Sequence, residues 1–288
     1  MEVYCRVSKL SPPASNPYLL TPNTKIMNCT TCFHHCDLKE GAVGYCGTRT
    51  LRGGKITGLA LDPIEKKPLV RFYPGSYILS LGSWGCNMRC PWCQNDSISR
   101  GPARFVRVTP EMIIQRALEL RDSGNIGIAY TYNEPLIMPE FLRDTAFPAH
   151  EAELKNVLVT NGMASRETLE ELLPAIDALN IDLKTIREDS YRRIGGNLET
   201  VLANIRIASQ SAHVELTTLI VPGFNDSEEE MRELSERVAK IDPEIPLHVT
   251  RFFPAGEMRN TPPTPVYIVY HLAEVARKML KYVYEGNV

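Results

Sequence analysis

The sequence predicts an α/β protein whose parallel sheet forms a partial six-stranded barrel. From about residue 77, short apolar runs rich in β-favouring residues alternate six times with helix-like segments. This alternation is typical of parallel strands joined by crossover helices. Six units are too few to close an eight-stranded barrel, so a partial (β/α)6 TIM-like barrel fits best, with a doubly wound open sheet as the alternative.

The individual elements follow from hydrophobic periodicity and from helix start signals. Thr109 precedes Pro110, Ser165 stands three residues before Thr168, and Asp226 precedes a run of glutamates. All three patterns are typical of helix N-termini. The predicted strands are 77–81, 126–131, 156–160, 176–183, 214–221 and 247–252. The predicted helices lie near 110–122, 137–146, 165–173, 198–210, 226–240 and 265–280.

The first 75 residues have a different character. They contain five of the eight cysteines, a turn-rich stretch over 11–17 and a glycine-rich stretch over 41–54, with little hydrophobic periodicity. Such a composition is expected where metal ligation, rather than an apolar core, organises the chain. We therefore predict two domains. Residues 1–75 form a cysteine-rich module with a connector at 62–68, and residues 76–288 form the barrel.

Composition excludes several classes of function. The 32 basic and 34 acidic side chains give a formal net charge of −2, which offers no electrostatic footprint for nucleic acid or an anionic membrane. No apolar run approaches the length of about 18 residues that a membrane span needs, and the N-terminus lacks the pattern of a secretory signal. We expect a cytoplasmic protein with neither nucleic-acid nor membrane partners.

Seven of the eight cysteines fall into two tight groups. In a reducing compartment, clustered cysteines are typical of metal ligands or catalytic groups rather than of disulfides. Cys5 stands apart, and no role is predicted for it. The first group is Cys29, Cys32, Cys36 and Cys46, and the second is Cys86, Cys90 and Cys93.

The second group lies in a loop directly after the first predicted strand. Gly82, Gly85 and Pro91 suit a loop that folds closely around a ligand, and in parallel α/β barrels the chemistry lies at the carboxyl ends of the strands. Iron–sulfur cubanes are usually held by four cysteines. Three thiolates therefore leave one iron with an open coordination position, as in catalytic metal sites. A chance triplet and an incomplete zinc site are the alternatives.

The C-x3-C-x2-C spacing, with Trp92 before the last cysteine, resembles the signature of radical S-adenosylmethionine (SAM) enzymes. The resemblance implies a partial barrel of the radical SAM type and a [4Fe–4S] cluster on Cys86, Cys90 and Cys93, whose open iron binds SAM. An electron from an external donor of the flavodoxin or ferredoxin type would cleave SAM to methionine and a 5′-deoxyadenosyl radical. That radical would abstract hydrogen from a substrate.

Segments at the ends of the later strands are similar to SAM-binding segments of the same superfamily. Each has an ordinary alternative, such as a helix-start carboxylate, a solvated ion pair, a turn residue or, for His248, a core residue. Val159 stands where related activases have an aspartate, so a cation site beside SAM that uses this carboxylate is not expected. The residues that the resemblance assigns to SAM binding are Trp92, Asn133, Glu134, Thr160, Asn161, Asp182, Lys184, Pro222, His248 and Arg251.

Stretches over 29–49, 62–68 and 282–288 resemble the radical SAM enzyme of the AmmeMemoRadiSam system, which is similar to pyruvate formate-lyase activating enzyme. The resemblance implies no particular substrate, and a small molecule, a peptide and a protein all stay open. An activase that makes a glycyl radical on a partner enzyme is the alternative. A remote alternative is a non-catalytic iron–sulfur or zinc protein. Such a protein would fill all its metal positions with protein ligands and would not need a site of only three thiols.

The first cysteine group, spaced C-x2-C-x3-C-x9-C, is a complete set of four metal ligands. A closed four-thiolate site is typical of structural zinc, and the same set suits a second iron–sulfur cubane. Reduced, unligated thiols are the third alternative. His34 and His35 lie inside this group and are further candidate ligands.

Overall fold

The computed structural model of the chain describes residues 27–38, 43–47, 56–100 and 103–288. Cys5, the turn-rich stretch over 11–17 and most of the glycine-rich stretch over 41–54 lie outside the described residues. Around the first cysteine group, β1 (Met27–Asn28) and β2 (Asp37–Leu38) form a small antiparallel pair.

Eight further strands form the main sheet of the described ranges. Their order across the sheet follows the chain, with the first strand antiparallel to the second and all the others parallel. The predicted α/β class and its parallel sheet are thereby confirmed. The strands are β3 (Gly58–Pro63), β4 (Tyr77–Gly82), β5 (Asn125–Thr131), β6 (Lys155–Thr160), β7 (Ala178–Asp182), β8 (His213–Ile220), β9 (Leu247–Arg251) and β10 (Val283–Gly286).

Helices follow the six central strands, as the alternation predicted. Thr109, Ser165 and Asn197 cap their helices with side-chain oxygens. The cap predicted at Asp226 belongs instead to Ser227, whose Oγ accepts from the N–H of Glu230 at 3.2 Å. The helices are α1 (Asp96–Ser99), α2 (Pro110–Glu119), α3 (Pro139–Glu151), α4 (Arg166–Leu172), α5 (Glu188–Arg193), α6 (Leu198–Ala208), α7 (Glu228–Ala239) and α8 (Val266–Arg277).

Alternating strand residues divide the core into two parts. Leu79 and Leu81 of β4 join the large cluster that the helices cover, whereas Ile78 faces the lumen of the barrel. In the lumen, Ile64, Leu69 and Phe72 pack against small or branched strand residues. Those strand residues are Ile78, Ala129, Val157 and Ala178. No helix in the described part of the chain has the length and apolar character that a membrane span requires.

Polar contacts also hold the segment from β3 to β4 inside the barrel. The buried carboxylate of Glu215 accepts from the backbone N–H groups of Val70 and Arg71, at 3.2 and 2.8 Å. Asp62 pairs with buried Lys67 at 2.8 Å. Within residues 62–68, predicted as a connector, Asp62, Ile64 and Lys67 are buried, whereas Glu65 and Lys66 are exposed. The division of the chain into two domains at 75/76 stays a prediction.

Candidate active site

The loop that carries Cys86, Cys90 and Cys93 follows β4 at the carboxyl rim of the sheet, and backbone hydrogen bonds fix its course. The N–H of Gly85 donates to the carbonyl of Ile98 at 2.7 Å, and the N–H of Arg89 donates to that of Ile194 at 2.7 Å. We call residues 83–95 the cysteine loop. At the far end, the Asn95 side-chain amide donates to the carbonyl of Tyr132 at 2.6 Å, so the loop that carries the three thiols is tied to other segments along its length.

The three thiols are partly buried and lie beside hydrogen-bond donors. Cys86 Sγ accepts from the N–H of Met88 at 3.4 Å and from the Asn161 amide at 3.6 Å. Burial raises the pKa of Cys90, and Lys184 opposes that rise. An ammonium group at this place favours the thiolate form, which is the form that binds metals.

A second loop, after β9, closes over the cysteine loop. The N–H of Glu257 donates to the carbonyl of Pro91 at 2.7 Å, and the Glu257 carboxylate pairs with Arg100. Gly256 makes this approach possible, because a Cβ there would stand 2.5 Å from the Pro91 oxygen and its φ is +56°. A side chain at position 256 would therefore push the two loops apart.

Asn133, after β5, is tied to the cysteine loop. Its Oδ1 accepts from the N–H of Ser83 at 3.0 Å, and its Nδ2 donates to the Ser83 hydroxyl and the Gly85 carbonyl. Tyr132 beside it has a φ of 71°, a conformation unusual for a tyrosine. Asn133 therefore holds the cysteine loop in place. Its role as a SAM contact stays a prediction.

Glu134 is buried at the same rim and links β5 to β6. Its Oε1 accepts from the N–H of Leu136 at 3.0 Å and the Thr160 hydroxyl at 2.7 Å, and its Oε2 accepts from the N–H of Asn161 at 2.7 Å. Burial raises its pKa to about 7, although these three donors act in the opposite direction. The carboxyl thereby holds Asn161 where its amide reaches Cys86.

Asp182 and Lys184 project from the end of β7 toward the cysteine loop. Lys184 Nζ lies 3.0 Å from Asp182 Oδ2, and its side chain is largely buried. Burial lowers the pKa of Lys184, but Asp182 and Cys90 outweigh it and raise the pKa above its ordinary value. The backbone of Lys184 is held by Tyr191 and Asn225, at 3.0 and 2.8 Å. A fixed cation therefore stands beside the thiols.

The other predicted site residues divide into two sets. Trp92 is buried, with its ring centre 4.5 Å from that of Phe224, and Arg251 donates from Nε to the carbonyl of Thr264 at 2.7 Å. Both, like half-buried Pro222, lie in or next to loops of the rim. His248 does not join them: it lies lower in β9, bonded to Glu215 at 2.6 Å inside the lumen.

Comparison with known proteins identifies the family of this chain. The sequence profile of the Radical SAM superfamily matches residues 83–236, more than half of the chain, from the cysteine loop into α7. This chain belongs to the radical SAM superfamily. The match begins directly after β4 and includes the cysteine loop, Glu134, Asn161 and the pair of Asp182 and Lys184.

Relatives and solved structures agree with this membership. An uncharacterised protein of Methanocaldococcus jannaschii is 39% identical over 281 residues, covering 91% of this chain and 81% of its own. The pyruvate formate-lyase-activating enzyme of Clostridium pasteurianum is 26% identical over 162 residues, covering 54% of this chain and 67% of its own. A structure of TYW1 with a lysine-pyruvate adduct bound shares the fold, with a TM-score of 0.54 and 19% identity over 80% of this chain and 86% of its own.

Radical SAM membership makes the protein an enzyme of that type and implies a [4Fe–4S] cluster and SAM. Among the described residues, no three Cys, His, Asp or Glu side chains are already gathered as a metal site. The donor set nevertheless fits a thiolate-held cluster. Three thiols stand within eight residues, beside the N–H of Met88, the amide of Asn161 and the ammonium of Lys184.

The segments that carry the four N-terminal cysteines contact the cysteine loop and the loop after β6. The N–H of Cys86 donates to the carbonyl of Cys46 at 3.0 Å, and Cys32 forms a β-bridge with Ala164. His34, a candidate ligand from sequence, bonds to the carbonyl of Asn87 at 2.8 Å. The two cysteine groups are thus neighbours in space, although 40 positions separate Cys46 from Cys86.

Several residues of the rim were not identified from sequence. Asn87 contacts Asn161, Asn225 joins the ends of β7 and β8, and Gly256 admits the covering loop. The Asn225-Asp226 pair has the sequence of an ordinary turn and cap, so its long-range bonds leave no local signal. Asn87 stands inside the cysteine motif, and that position was the sequence feature that pointed to a role in the site.

Proposed function

We propose that the radical SAM site of this chain is built on Cys86, Cys90 and Cys93, with SAM held by the surrounding rim. The observation that carries the proposal is the convergence of the cysteine loop, Glu134 and Lys184 at one edge of the sheet. When bound, the cluster supplies the electron that cleaves SAM to methionine and a 5′-deoxyadenosyl radical for hydrogen abstraction. An external donor of the flavodoxin or ferredoxin type supplies that electron.

The charged residues divide the recognition of SAM between them. Lys184 presents an ammonium point charge suited to the SAM carboxylate, and its bond to Asp182 leaves further N–H groups to donate. Asp182, about one-third exposed, suits a ribose hydroxyl. Glu134 orients Thr160 and Asn161 through its three hydrogen bonds and lies at the place proposed for the SAM amino group.

Trp92, Pro222 and Arg251 complete the proposed rim. Trp92 packs on Phe224, so the end of the cysteine loop and the loop after β8 are held together. That second loop, with Pro222, is the proposed floor for adenine. Arg251 keeps the loop after β9 in place through its bond to Thr264. His248 is not included in the proposal, because it lies in the lower lumen.

A second candidate function is the activation of a partner enzyme. It is favoured by the relative named as a pyruvate formate-lyase-activating enzyme, which aligns with about half of this chain. In that case the radical would take hydrogen from a glycine backbone of the partner protein. A small molecule or a peptide as substrate is the first candidate, and the two are distinguished by which added compound or protein raises SAM consumption.

The test of the proposed site is SAM cleavage by protein reconstituted anaerobically with iron and sulfide. With SAM and dithionite, the wild type should form 5′-deoxyadenosine and methionine in equal amounts. Cys90→Ala should form neither, whereas Cys5→Ala, a cysteine outside both groups, should keep the wild-type yield. A Cys90→Ala variant with the wild-type yield would refute the site.

A further inference from the structure

Tyr132 departs from the side-chain alternation of β5. Ile128 and Tyr130 belong to the large cluster that the helices cover, so continued alternation would place residue 132 on that side as well. Instead, Tyr132 has a φ of 71°, a left-handed conformation that costs free energy in any residue with a Cβ. Its ring stands against Gly82, where a Cβ would lie 2.8 Å from Tyr132 Cδ2. Because Gly82 alternates with Ile78, which faces the lumen, the Tyr132 ring lies on the lumen side.

A buried ion pair holds the Tyr132 hydroxyl in the lumen. The hydroxyl donates to Asp62 Oδ2 at 2.7 Å, and Lys67 Nζ donates to the same oxygen at 2.8 Å. Lys67 is 2% exposed, and its Nζ lies 4.9 Å from the centre of the Tyr132 ring. Burial would raise the pKa of Asp62, but the hydrogen bonds from Lys67 and Tyr132 outweigh it and hold the pKa below its usual range. The phenol therefore faces an ionised carboxylate, which is a stronger acceptor than a neutral group.

The backbone of Tyr132 reaches the rim. Its carbonyl accepts from the side-chain amide of Asn95, at the end of the cysteine loop, at 2.6 Å. Asn133, the next residue, bonds to Ser83 at the start of the same loop, and Glu134 follows it. Tyr132 thus connects the buried ion pair in the lumen to the rim, and the direction of the chain at this residue decides where Asn133 and Glu134 lie.

The left-handed turn at Tyr132 has to be stabilised by contacts of its side chain. A glycine would adopt the same φ without this cost, and strained residues persist where the surrounding structure holds them, often at functional sites. The hydrogen bond from the hydroxyl to Asp62 is such a contact, and a phenylalanine could not make it.

We propose that Asp62 and Lys67 are positioning residues for SAM, which act through the Tyr132 hydroxyl to hold the left-handed turn that presents Asn133 and Glu134 to the SAM amino group. The inference rests on the proposed function, in which SAM binds at this rim. Asp62 and Lys67 themselves lie in the lumen, so their effect on SAM is indirect. Loss of the hydroxyl should therefore weaken recognition of the amino group and leave recognition of the adenosine part unchanged.

Two tyrosine variants test the role of the hydroxyl. The full-length proteins are reconstituted anaerobically, and equilibrium dialysis measures their affinities for labelled SAM and for 5′-deoxyadenosine, which lacks the amino group. Tyr132→Phe should bind SAM roughly three- to tenfold more weakly and should bind 5′-deoxyadenosine as the wild type does. Tyr130→Phe is the matched control, because it also loses a buried hydroxyl bond, to Asn156 Oδ1 at 3.1 Å. It should keep the wild-type affinity for both ligands.

An unchanged SAM affinity in Tyr132→Phe would overturn the proposal. An equal loss for both ligands would overturn it too, because it would show a general disturbance of the rim. Asp62→Asn should also weaken SAM binding, and the double variant Asp62→Asn/Tyr132→Phe should bind SAM no more weakly than the weaker single variant, since both changes act on the same bond. Additive losses would show that Asp62 does not act through Tyr132.

A pair of glycine variants moves the Tyr132 ring without removing a hydrogen-bonding group, and it decides the question if Tyr132→Phe does not fold. Gly82→Ala places a Cβ 2.8 Å from Tyr132 Cδ2, whereas Gly58, the partner of Gly82 across β3 and β4, has open space around such a Cβ. Gly82→Ala should bind SAM more weakly than Gly58→Ala, and equal affinities would overturn the proposal. Failure of the wild type to cleave SAM with dithionite would instead refute the proposed radical SAM site itself.

Discussion

The backbone N–H of Asn161 donates a hydrogen bond of 2.7 Å to the carboxylate of Glu134. This bond joins the ends of β5 and β6 directly beneath the cysteine loop. Since the Asn161 side chain contacts both Asn87 and Cys86, the Glu134 carboxyl controls the position of a thiol that it does not itself touch.

Replacing Glu134 by Gln should therefore loosen the rim. An amide NH2 facing one of the three donors leaves at least one buried N–H unpaired, which should lower the free energy of unfolding by about 1–3 kcal/mol. SAM affinity should fall as well. Asp177→Asn is the matched control, because the Asp177 carboxylate also accepts from a backbone N–H, that of Asn156 at 2.9 Å, at the opposite end of the strands from the proposed SAM site. Both variants should unfold more easily in urea, but only Glu134→Gln should bind SAM more weakly.

Lys184→Ala should weaken SAM binding by about 1.5–3 kcal/mol, or roughly 10- to 150-fold in Kd, because the buried cation proposed to bind the SAM carboxylate is lost. The iron content should stay unchanged. Lys155→Ala is the control, since Lys155 forms a similar pair with Asp177 at 2.8 Å at the opposite end of the strands. Equilibrium dialysis with labelled SAM measures both. Equal SAM affinities in the two variants would show that Asp182 and Lys184 form an ordinary ion pair with no role in SAM binding.

Glu215 should make stability depend on pH. Burial would raise its pKa, but hydrogen bonds from His213, His248 and the backbone of Arg71 lower it to about 2. A carboxyl with a lowered pKa stabilises the fold above its unfolded value of about 4.5 and loses that effect as the pH falls toward 2. Glu215→Gln should cost about 2–3 kcal/mol at pH 7, and less with each step below pH 4.5. A constant difference in urea unfolding from pH 7 to pH 3 would contradict this assignment.

Gly256→Ala should separate the covering loop from the cysteine loop. Its Cβ would stand 2.5 Å from the Pro91 carbonyl, whereas Gly75 has a φ of +82° with open space around it. Gly75→Ala should cost only the strain of a left-handed alanine, about 1–2 kcal/mol. Gly256→Ala should cost more and should also lower the iron content, because Pro91 lies between two of the proposed cluster ligands. Iron content equal to that of Gly75→Ala would show that the loops are independent.

Much of the barrel was predictable from the sequence because its central strands are long, apolar runs that end in polar residues. The runs before Glu134, Asn161 and Asp182 marked both the strands and the rim. β3 was missed because Gly58–Pro63 contains glycine and proline and is only partly buried, and it becomes a strand by pairing with β4. β10 is a four-residue edge strand with little periodicity.

The parts of the site that escaped prediction depend on contacts between distant residues. Asn87 and Asn161 are 74 positions apart, and Asn225 reaches back 41 positions to Lys184. No local pattern reports such pairs. Lys67 and Asp62 are only five positions apart and look like solvated charges in sequence, but they pair in a buried position. The predicted site residues themselves stay predictions until the variants above are measured.

The packed side chains of Ile64, Leu69 and Phe72 fill part of the lumen of the barrel. In the described part of the chain, those side chains and their strand partners occupy the lumen on the side away from the rim. For the proposed reaction, the incoming substrate and the outgoing methionine and 5′-deoxyadenosine then have no through-route and share the rim side. We therefore expect the products of one cycle to leave through the rim side before the next substrate molecules enter there.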